Sequence, residues 1–372
     1  MAKKIRVVFD ANPLVRQKTG VGFYTEGLVT ALGQIDQLEL VGCYFMPRGN
    51  VPTLPKAPGL SFKSCPWAVG ALARALRKIG LRLPWELLFW VRGDVLLFPD
   101  FTSWPSLFKT PKLLTIHDLT FIDHPDYVTK ANLRYLRRFC AKDARAAALV
   151  LTISKFSKVR LVREFKLRPN KVIVQPIPPA PVIAGTKPKW LPANYLLFIS
   201  TIEPRKNLEG LIDAYLELPE SLTKKYALVA AGGVGWHTEE LMERIKHLQA
   251  SGHKILTPGY VSAAERAALY KNAAIVVVPS FYEGFGMPVL EAFSYNAPVA
   301  ASNLPVLKEI GQDAAVYFDP NSPASIAKTI SSVLSSATKR TKMVAGGQKQ
   351  LSHYSWNSVA DSVFKEIQKL VG

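Results

Sequence analysis

Short apolar runs alternate with amphipathic helical stretches twice along the chain, and this pattern limits the fold more than any other feature of the sequence. The first series lies within residues 5–174 and the second within residues 195–318. Near-continuous apolar strands are typical of parallel sheets that helices cover on both faces. Six prolines among residues 175–192 exclude a helix or a central strand between the two series. The pattern predicts an α/β protein with two Rossmann-like domains joined by a proline-rich linker.

These elements set the expected domain boundaries. The N-terminal domain is predicted to span residues 1–178, the linker 179–194, the C-terminal domain 195–352 and a C-terminal helix 353–372. The runs predicted as strands are 5–9, 38–45, 95–98, 113–116, 149–152, 172–174, 195–200, 226–231, 275–280, 298–302 and 315–318. In open α/β sheets ligands bind beyond the carboxyl ends of the strands, so the residues that follow each run are candidates for chemistry.

The composition excludes several classes of protein. Hydrophobic residues make up 48% and charged residues 20% of the 372 residues, so the chain can bury large cores and is not predicted to be disordered. Cys43, Cys65 and Cys140 lie far apart, which indicates reduced thiols in a cytosol rather than a disulfide framework or a metal site. No apolar run approaches the ~20 residues of a membrane-spanning helix. Residues 1–11 suit a first strand better than a signal peptide.

Positive charge is concentrated in the first half of the chain. Residues 1–180 contain 28 basic and 12 acidic residues, whereas residues 181–372 contain 19 and 16. This excess predicts an anionic partner, and we favour an anionic membrane surface because residues 67–93 have the composition of an interfacial amphipathic helix. Two further basic stretches, 132–145 and 155–171, strengthen that expectation. The basic side chains of the first two stretches include Arg74, Arg77, Lys78, Arg82, Arg134, Arg138, Lys142 and Arg145.

The segment EGFGMPVLE (283–291) follows a predicted buried strand and carries a glutamate at each end. Gly284 and Gly286 give the loop conformational freedom, and Pro288 suits the first turn of a helix. Free backbone N–H groups of residues 287–290 and the helix dipole then form an anion site. Of two carboxylates beside a phosphate pocket, one can face a reacting sugar while the other accepts hydrogen bonds from ribose hydroxyls. The alternative is a helix N-terminus with two solvated glutamates.

The segment TIEPRKN (201–207) follows another predicted strand and places Arg205 and Lys206 at or near the start of the next helix. Cations at a helix N-terminus oppose the helix dipole unless an anion binds there. Together with the segment 283–291, the two cations would clamp a diphosphate and neutralise charge on a departing nucleotide. A solvated Arg-Lys pair is the alternative.

Two segments of the first half also follow predicted strands. Gly20 and Gly22 stand at the entry to a helix, where small residues let a phosphate or a sugar approach the backbone, although a plain tight turn explains them equally well. His117 and Asp118 follow the run 113–116, and the imidazole can either hydrogen-bond a sugar hydroxyl or cap the loop. No metal site is predicted, because no helix-face ligand pattern fits the spacing of Asp118, Asp123, His124 and Asp126.

Four segments occur in the order found in GT-B glycosyltransferases: TGVGFYT (19–25), HDL (117–119), TIEPRKN (201–207) and EGFGMPVLE (283–291). The chain resembles in particular the large retaining family numbered four, which includes many bacterial mannosyltransferases, and the resemblance covers nearly its whole length. It implies a GT-B fold, sugar transfer from a nucleotide-sugar with retained anomeric configuration, and no metal or other cofactor. It also implies that the donor nucleotide lies against the C-terminal domain and the acceptor against the N-terminal one.

Carried over onto this sequence, the resemblance gives roles to single residues. Glu283 would contact the donor sugar and support the reacting centre, and His117 would bind the donor sugar near that centre. Arg205 with Lys206 would hold the diphosphate, while Glu291 would hold the ribose. The remaining residues implied for the donor site are Gly284, Phe285, Gly286, Met287, Gly20 and Gly22.

The expected function is transfer of mannose from GDP-mannose to a lipid-linked saccharide or glycolipid, in cell-surface polysaccharide or glycoconjugate synthesis. We expect a cytoplasmic enzyme, peripheral on the inner face of the cell membrane. Front-face transfer is the expected mechanism, and double displacement through Glu283 is the competing one. A UDP-sugar donor or a soluble acceptor is the alternative within the same fold. A non-catalytic nucleotide-sugar sensor and a nucleic-acid binder are further alternatives, but no zinc-finger spacing, ribonucleoprotein motif or helix-turn-helix is evident, so no nucleic acid partner is expected.

Overall fold

Two units, each built on its own parallel sheet, make up the part of the chain described by this computed structural model, namely residues 4–15, 20–47 and 53–372. The first unit comprises the described residues up to Ile177 together with Ser355–Gly372, and the second comprises Pro178–Tyr354. Thr19, the first residue of the TGVGFYT segment, and the side chain of Lys78 lie outside the described part of the chain.

The sheet of the first unit has seven parallel strands within the described residues. They are β1 (Ile5–Asp10), β2 (Leu38–Phe45), β3 (Leu60–Cys65), β4 (Val95–Phe98), β5 (Lys112–Thr115), β6 (Leu149–Thr152) and β7 (Val172–Val174). Their order is β3-β2-β1-β4-β5-β6-β7, so the chain builds outward from β1 in one direction and then in the other. Val7 marks the point of reversal, because it pairs with Leu40 on one side and Val95 on the other. Such a switch point opens a crevice at the carboxyl edge of the sheet.

The sheet of the second unit repeats this topology with six described strands in the order β10-β9-β8-β11-β12-β13. They are β8 (Tyr195–Ile199), β9 (Ala227–Ala231), β10 (Ile255–Gly259), β11 (Ile275–Val278), β12 (Val299–Ser302) and β13 (Ala315–Phe318). The switch point lies between β8 and β11, which pair through Leu196 and Ile275. Strands β9, β11 and β12 are buried along their whole length, which explains why their sequences are continuous apolar runs.

Helices cover both sheets. In the first part of the chain they are α1 (Asn12–Val15), α2 (Gly20–Leu32), α3 (Trp67–Lys78), α4 (Trp85–Phe89), α5 (Thr120–Asp123), α6 (Lys130–Ala146) and α7 (Lys155–Phe165). They continue as α8 (Leu208–Leu216), α9 (Glu220–Lys225), α10 (Glu239–Ala250), α11 (Ala263–Asn272), α12 (Met287–Ser294), α13 (Pro305–Gly311), α14 (Pro323–Leu334), α15 (Ala337–Leu351) and α16 (Trp356–Val371). Short 3-10 turns form at Pro125–Tyr127, Pro169–Lys171, Pro204–Lys206 and Gln312–Ala314.

Patterning of the sequence does not predict β3 or β10, which lie at sheet edges. Only Cys65 of β3 is buried, so that strand lacks an apolar run, and β10 includes Pro258 and Gly259. An edge strand has one neighbour and tolerates polar side chains, proline and glycine that a central strand would not.

The proline-rich segment packs along the second unit without forming a helix or strand. The amide of Thr186 donates to the carbonyl of Ala264 at 3.0 Å, and the amide of Ile183 donates to the hydroxyl of Tyr295 at 3.2 Å. Helix α16 belongs to the first unit, where it packs on α2. A glycine is needed at position 27, because a Cβ there would lie 2.2 Å from the indole of Trp356.

The amphipathic stretch predicted over residues 67–93 forms two helices instead of one. Helix α3 ends at Lys78, Gly80 adopts a left-handed conformation (φ 99°), and Pro84 precedes α4. Arg77 turns inward and is buried, whereas Leu72 on the opposite face of α3 is exposed. On α6 the predicted basic face is present, since Arg134, Arg138, Lys142 and Arg145 are all exposed.

Candidate functional site

The loops after β8 and β11, the two strands that flank the switch point of the second unit, hold Arg205, Lys206 and Glu283 in contact. The Nζ of Lys206 donates to Glu283 Oε1 at 2.7 Å, and Nη1 of Arg205 lies 3.6 Å from Glu283 Oε2. The hydroxyl of Ser280 also donates to Glu283 Oε1 at 2.7 Å. Glu283 is only 6% exposed and Lys206 only 8%. We call Arg205, Lys206, Glu283 and Glu203 the donor cluster, after the role that the resemblance implies for the second unit.

Asn207 holds the first of these loops in place. It follows the 3-10 turn Pro204–Lys206 in a left-handed conformation (φ 55°), which asparagine tolerates better than most residues. Its Oδ1 accepts from the amide of Gly210 and caps α8, while its Nδ2 donates to the carbonyl of Pro279 at 3.1 Å. The two loops are therefore tied together, because the side chain that caps one helix also bonds the end of the neighbouring strand.

Arg205 is oriented by a second carboxylate. Its Nε and Nη2 donate to Oε1 of Glu203 at 2.9 and 2.6 Å, and its Nη1 donates to the carbonyl of Tyr282 at 3.2 Å. The two cations thus face two carboxylates, Glu203 and Glu283. The charge conflict expected for an Arg-Lys pair beside a helix N-terminus is resolved within the protein by these glutamates.

The electrostatic balance keeps Glu283 ionised. Burial by itself would raise the pKa of this carboxyl, but the charges of Lys206 and Arg205 and the hydrogen bonds from Lys206 and Ser280 outweigh it, so the pKa is lowered. A buried carboxylate with a lowered pKa and two adjacent cations is a charged group held in a fixed place, as an electrostatic site requires.

The remaining residues of the segment 283–291 form the turn into α12. Gly284 and Phe285 are buried, and Gly286 has φ 111°, a conformation that side chains rarely adopt. A Cβ at Gly286 would also lie 2.7 Å from the end of the Leu307 side chain, which would have to shift. Met287 opens the helix and is half-buried.

Glu291 lies on α12 in a cluster of its own. The hydroxyl of Tyr270 donates to Glu291 Oε2 at 2.7 Å, and Arg266 lies 3.3 Å from Oε1. Tyr270 also stacks on Tyr295, with ring centroids 5.9 Å apart. The carboxylate is therefore pre-positioned by α11, but the structure does not bring it into contact with Glu283 or the two cations of the donor cluster.

His117 follows β5 in the first unit and is buried. Its Nε2 hydrogen-bonds the carbonyl of Pro99 at 2.9 Å, and its ring meets the edge of Tyr24 at a centroid distance of 4.9 Å. Burial lowers the pKa of His117, although the Pro99 carbonyl and the charges of Asp100 and Asp118 oppose that effect. The imidazole is therefore held neutral at physiological pH and fixed in orientation.

Gly20 and Gly22 lie in the first turn of α2, in the same unit as His117. Gly22 is buried, whereas Gly20 is exposed and has open space where a Cβ would stand. Neither glycine has a positive φ. Both predicted interpretations, a close approach by a ligand and a plain turn, are compatible with this placement.

A cavity of about 620 Å³ lies at the carboxyl edge of the first sheet, where β1, β4 and β5 end. Its lining combines carboxylates, arginines and aromatic rings, among them Asp10, Asp100, Asp118, Arg74, Arg77, Phe45, Phe101, Trp104, Phe121 and Tyr135. Arg77 is fixed above the indole of Trp104 at 4.5 Å and donates to the carbonyl of Ser103 at 3.1 Å. The hydroxyl of Tyr135 is 3.0 Å from that of Thr102. We call this the acceptor cavity, after the role that the resemblance implies for the first unit.

The sequence pattern does not predict that these residues line one cavity. Asp10 comes directly after the run 5–9, and Asp100 is separated from the run 95–98 only by Pro99, so the rule that leads to His117 could have identified both. Trp104 and Tyr135 carry no such signal, because one lies in a loop and the other on α6. Only folding shows that these residues share one space.

No group of three or more metal-ligating side chains is present within residues 4–15, 20–47 and 53–372. Two of the residues considered as ligands have other contacts, since Asp123 pairs with Arg160 and the ring of His124 stacks on Tyr127. Among the helices that are described, none is both long and apolar enough to cross a bilayer.

Comparison with known proteins identifies the second unit. Residues 186–350 match the family of glycosyl transferases group 1, and these residues span almost all of that unit. The second unit is thus similar to glycosyl transferases group 1 over nearly all of its length. The donor cluster and Glu291 both lie inside it, at the positions that the TIEPRKN and EGFGMPVLE segments predict.

The chain is similar to bacterial mannosyltransferases over nearly its whole length. It is 29% identical to O-antigen chain mannosyltransferase B of Escherichia coli, over 95% of this chain and 97% of that protein. It is 26% identical to O-antigen chain mannosyltransferase RfbU of Salmonella typhimurium, over 98% of both. Among solved structures, Anabaena HepE in complex with UDP matches 98% of this chain and 100% of its own with a TM-score of 0.67, at 15% identity. These matches confirm the predicted GT-B fold and the predicted resemblance.

Proposed function

We propose that this glycosyltransferase moves mannose from GDP-mannose to a lipid-linked saccharide or glycolipid, with retention of configuration, at the inner face of the cell membrane. The pathway proposed is the synthesis of a cell-surface polysaccharide or glycoconjugate. The observation that carries the proposal is the donor cluster, in which a buried carboxylate and two cations meet at the switch point of the second unit. Mannose and its polysaccharide setting are supported by relatives that are named O-antigen mannosyltransferases.

The donor cluster is suited to a nucleoside diphosphate-sugar. Arg205 and Lys206 supply two positive charges, and charge-assisted hydrogen bonds from such groups are the strong contacts for a diphosphate. In the free protein Glu203 and Glu283 satisfy these cations. An arriving diphosphate takes over part of that pairing, which frees Glu283 to face the sugar. Glu291, already oriented by Tyr270, is the partner for the ribose hydroxyls.

The proposed reaction exchanges one bond to the anomeric carbon for another. The acceptor hydroxyl attacks on the face from which the diphosphate departs, the bond from carbon to phosphate oxygen breaks, and the leaving phosphate takes the hydroxyl proton. Arg205 and Lys206 stabilise the negative charge on the leaving group, and Glu283 stabilises positive charge on the sugar. Front-face transfer is the proposed route, and double displacement with Glu283 as the nucleophile is the alternative.

We also propose that the reaction needs no metal ion. Metal ions in other phosphate sites neutralise charge on the leaving oxygen. Here Arg205 and Lys206 can supply that charge from the protein. A chelator is therefore expected to leave turnover unchanged.

The acceptor cavity suits a saccharide. The half-buried ring of Phe101 lines the cavity and can contact the C–H bonds of a sugar ring, while Asp10, Asp100 and Asp118 can accept hydrogen bonds from its hydroxyls. A volume of about 620 Å³ lies in the range of small-molecule sites. His117 lies on the same edge of the sheet, and the resemblance gives it the role of a hydrogen-bond partner of the donor sugar.

The test is a transfer assay with the full-length chain, radiolabelled GDP-mannose and membranes that contain lipid-linked saccharides. We expect label to move into the lipid fraction, with an α-linked product from the α-linked donor. Labelled UDP-glucose and UDP-N-acetylglucosamine serve as matched donors. Transfer from a UDP-sugar alone would contradict the assigned donor, and label found only on water-soluble sugars would contradict the lipid-linked acceptor. A β-linked mannoside would contradict retention.

A further inference from the structure

Exposed apolar side chains are concentrated in one short part of the first unit. Of the twenty large apolar side chains that the described residues expose, ten lie within residues 67–108. Single exposed apolar residues are common on proteins, but a concentration of them marks an interaction surface. The most exposed of the ten is Trp90, at 83%.

Four of these side chains lie around α4 and share their surface with two cations. Leu87 and Trp90 are one helical turn apart at the end of α4, and Nζ of Lys63 donates to the Trp90 carbonyl at 2.8 Å. The guanidinium of Arg92 lies 4.0 Å above the ring of Phe108. We define the α4 surface as Lys63, Leu87, Trp90, Arg92, Leu107 and Phe108.

The fold holds this surface in a fixed conformation. Trp90 has a left-handed backbone conformation (φ 48°), which is strained for a bulky residue. Its side chain nevertheless packs little against the protein. The buried carboxylate of Glu86 accepts from the hydroxyl of Ser106 and from the amide of Leu107 at 3.0 Å. These bonds tie the loop that carries Leu107 and Phe108 to α4, so the four apolar side chains are presented together.

The charges on and near the α4 surface are positive. Lys63 and Arg92 belong to it, whereas the acidic groups nearest in sequence are committed elsewhere. Glu86 is buried beneath the surface, and Asp94 accepts from the backbone amide of Arg6 at 2.8 Å. An exposed tryptophan with leucine and phenylalanine among cations is the composition of a surface that enters the headgroup layer of an anionic bilayer.

Helix α3 connects the same region to the acceptor cavity. Its inner side supplies Arg74 and Arg77 to the cavity lining, while its outer side exposes Trp67 and Leu72. One amphiphilic acceptor could therefore place its saccharide in the cavity and its lipid end against the apolar side chains on the outer side of α3.

We propose that the α4 surface docks the protein on an anionic lipid bilayer, with Trp90 and Phe108 inserted among the headgroups and Lys63 and Arg92 against lipid phosphates. This rests on the proposed function in one respect, namely that the acceptor is lipid-linked. The partner is the bilayer itself, so docking does not require an acceptor molecule to be present.

The first experiment measures binding of the full-length chain to vesicles of phosphatidylethanolamine and phosphatidylglycerol by sedimentation. The double variant Trp90→Asn, Phe108→Ser removes two exposed rings, and asparagine tolerates the left-handed backbone at position 90. We expect it to bind at least about tenfold more weakly. Val182→Asn removes an exposed apolar side chain of the second unit and is the matched control, for which binding should not change. Equal vesicle binding by the double variant and the wild type would overturn the proposal.

Charge reversal tests the electrostatic part. Arg92→Glu should weaken binding to these vesicles more than about fivefold, since each cation near an anionic surface contributes on that scale. Lys342→Glu, on the exposed side of α15, is the control with the same change in net charge. Binding should also fall with added salt and on vesicles of phosphatidylcholine alone. Binding that depends on neither salt nor anionic lipid would contradict the role of Lys63 and Arg92.

Two readouts separate this proposal from the proposed function. The double variant should keep its affinity for GDP and its transfer to a water-soluble acceptor, because neither ring belongs to the donor cluster or the acceptor cavity. A wild type that binds vesicles through these side chains but transfers no mannose would refute the proposed function and leave the docking surface standing. A wild type that ignores vesicles but forms dimers, which the double variant loses, would identify a second copy as the partner and overturn the proposal.

Discussion

The carboxyl edges of the two sheets differ in how they prepare for a ligand. In the second unit, Lys206, Arg205 and Glu283 already contact one another, and the buried carboxylate is neutralised before any substrate arrives. In the first unit, the same edge of a sheet with the same topology is an open cavity of about 620 Å³. The second unit therefore holds fixed charges at this edge, whereas the first unit provides space and aromatic surface.

The difference follows from the size of what each edge is proposed to bind. A diphosphate is small and highly charged, so a few residues on two adjacent loops can recognise it, and they form short continuous segments of sequence. A saccharide is larger and neutral at most positions, so its cavity draws residues from the ends of β1, β4 and β5 and from α3 and α6. If this comparison is right, substitutions at the two edges should change different kinetic quantities.

The largest effect is expected from Glu283→Gln in the donor cluster. The variant keeps a hydrogen-bond acceptor for Lys206 but removes the negative charge, so turnover should fall by at least ~100-fold. The affinity for GDP should not weaken, because the cations that bind phosphate remain. Initial rates and calorimetric titration measure the two quantities, with Glu240→Gln on the exposed side of α10 as the control. Normal turnover would remove Glu283 from the catalytic machinery.

A smaller effect is expected when a cation of the donor cluster is removed. Lys206→Met should weaken GDP binding by about 10- to 100-fold, the range for losing a hydrogen bond to a charged group. Lys342→Met, which removes an exposed lysine of α15, should bind GDP as the wild type does. Titration of both variants with GDP decides the matter, and equal affinities would exclude Lys206 from the phosphate site.

Substitutions in the acceptor cavity should change the KM for the acceptor and leave the affinity for GDP unchanged. Asp100→Asn is expected to raise the KM for the acceptor by about tenfold, because a charged hydrogen-bond acceptor becomes neutral. The affinity for GDP should stay the same. Steady-state kinetics with acceptor varied, and Asp361→Asn on α16 as the control, provide the measurement. A change in GDP affinity without a change in acceptor KM would break the division of labour between the two edges.

The smallest effect concerns stability in acid. The pKa of Glu283 is lower in the folded protein than the ordinary value of 4.5, so the folded state holds fewer protons at this site than the unfolded chain. The resulting stabilisation is complete above pH 4.5 and is lost as pH falls through the lowered pKa.

Wild-type protein should therefore melt above Glu283→Gln near neutral pH, by on the order of 2–4 °C if the difference is about 1 kcal/mol. This gap should close in acid, and melting curves recorded across the acidic range would show it. A gap that stays constant with pH would show that the carboxylate charge does not stabilise the fold.

Sequence predicts the donor side of this protein far better than the acceptor side. The strands at the centre of each sheet are continuous apolar runs, and Arg205, Lys206 and Glu283 lie in the loops that follow two of them, so position in the sequence implies position at the sheet edge. The pairing of Arg205 with Glu203 is not predicted, because nothing in the pattern distinguishes a buried glutamate from a solvated one.

The elements that the sequence pattern does not predict correctly also have physical explanations. β3 buries only Cys65 and β10 includes Pro258 and Gly259, so neither carries an apolar run, and their positions at sheet edges tolerate this. The stretch 67–93 has the composition of one amphipathic helix, but Gly80 and Pro84 divide it, and Arg77 turns inward to the acceptor cavity. Composition reports how much apolar and basic surface a segment has, whereas only the folded chain shows which of it faces solvent.

The central claim is that the second unit binds a nucleoside diphosphate-sugar through the donor cluster. Calorimetric titration of the full-length chain with GDP, GDP-mannose, UDP and ADP, without added metal, tests it most directly. We expect GDP and GDP-mannose to bind the wild type, and to bind Lys206→Met more weakly. Preference for UDP or ADP would contradict the assigned donor alone. Absence of binding by every nucleotide would contradict the claim itself.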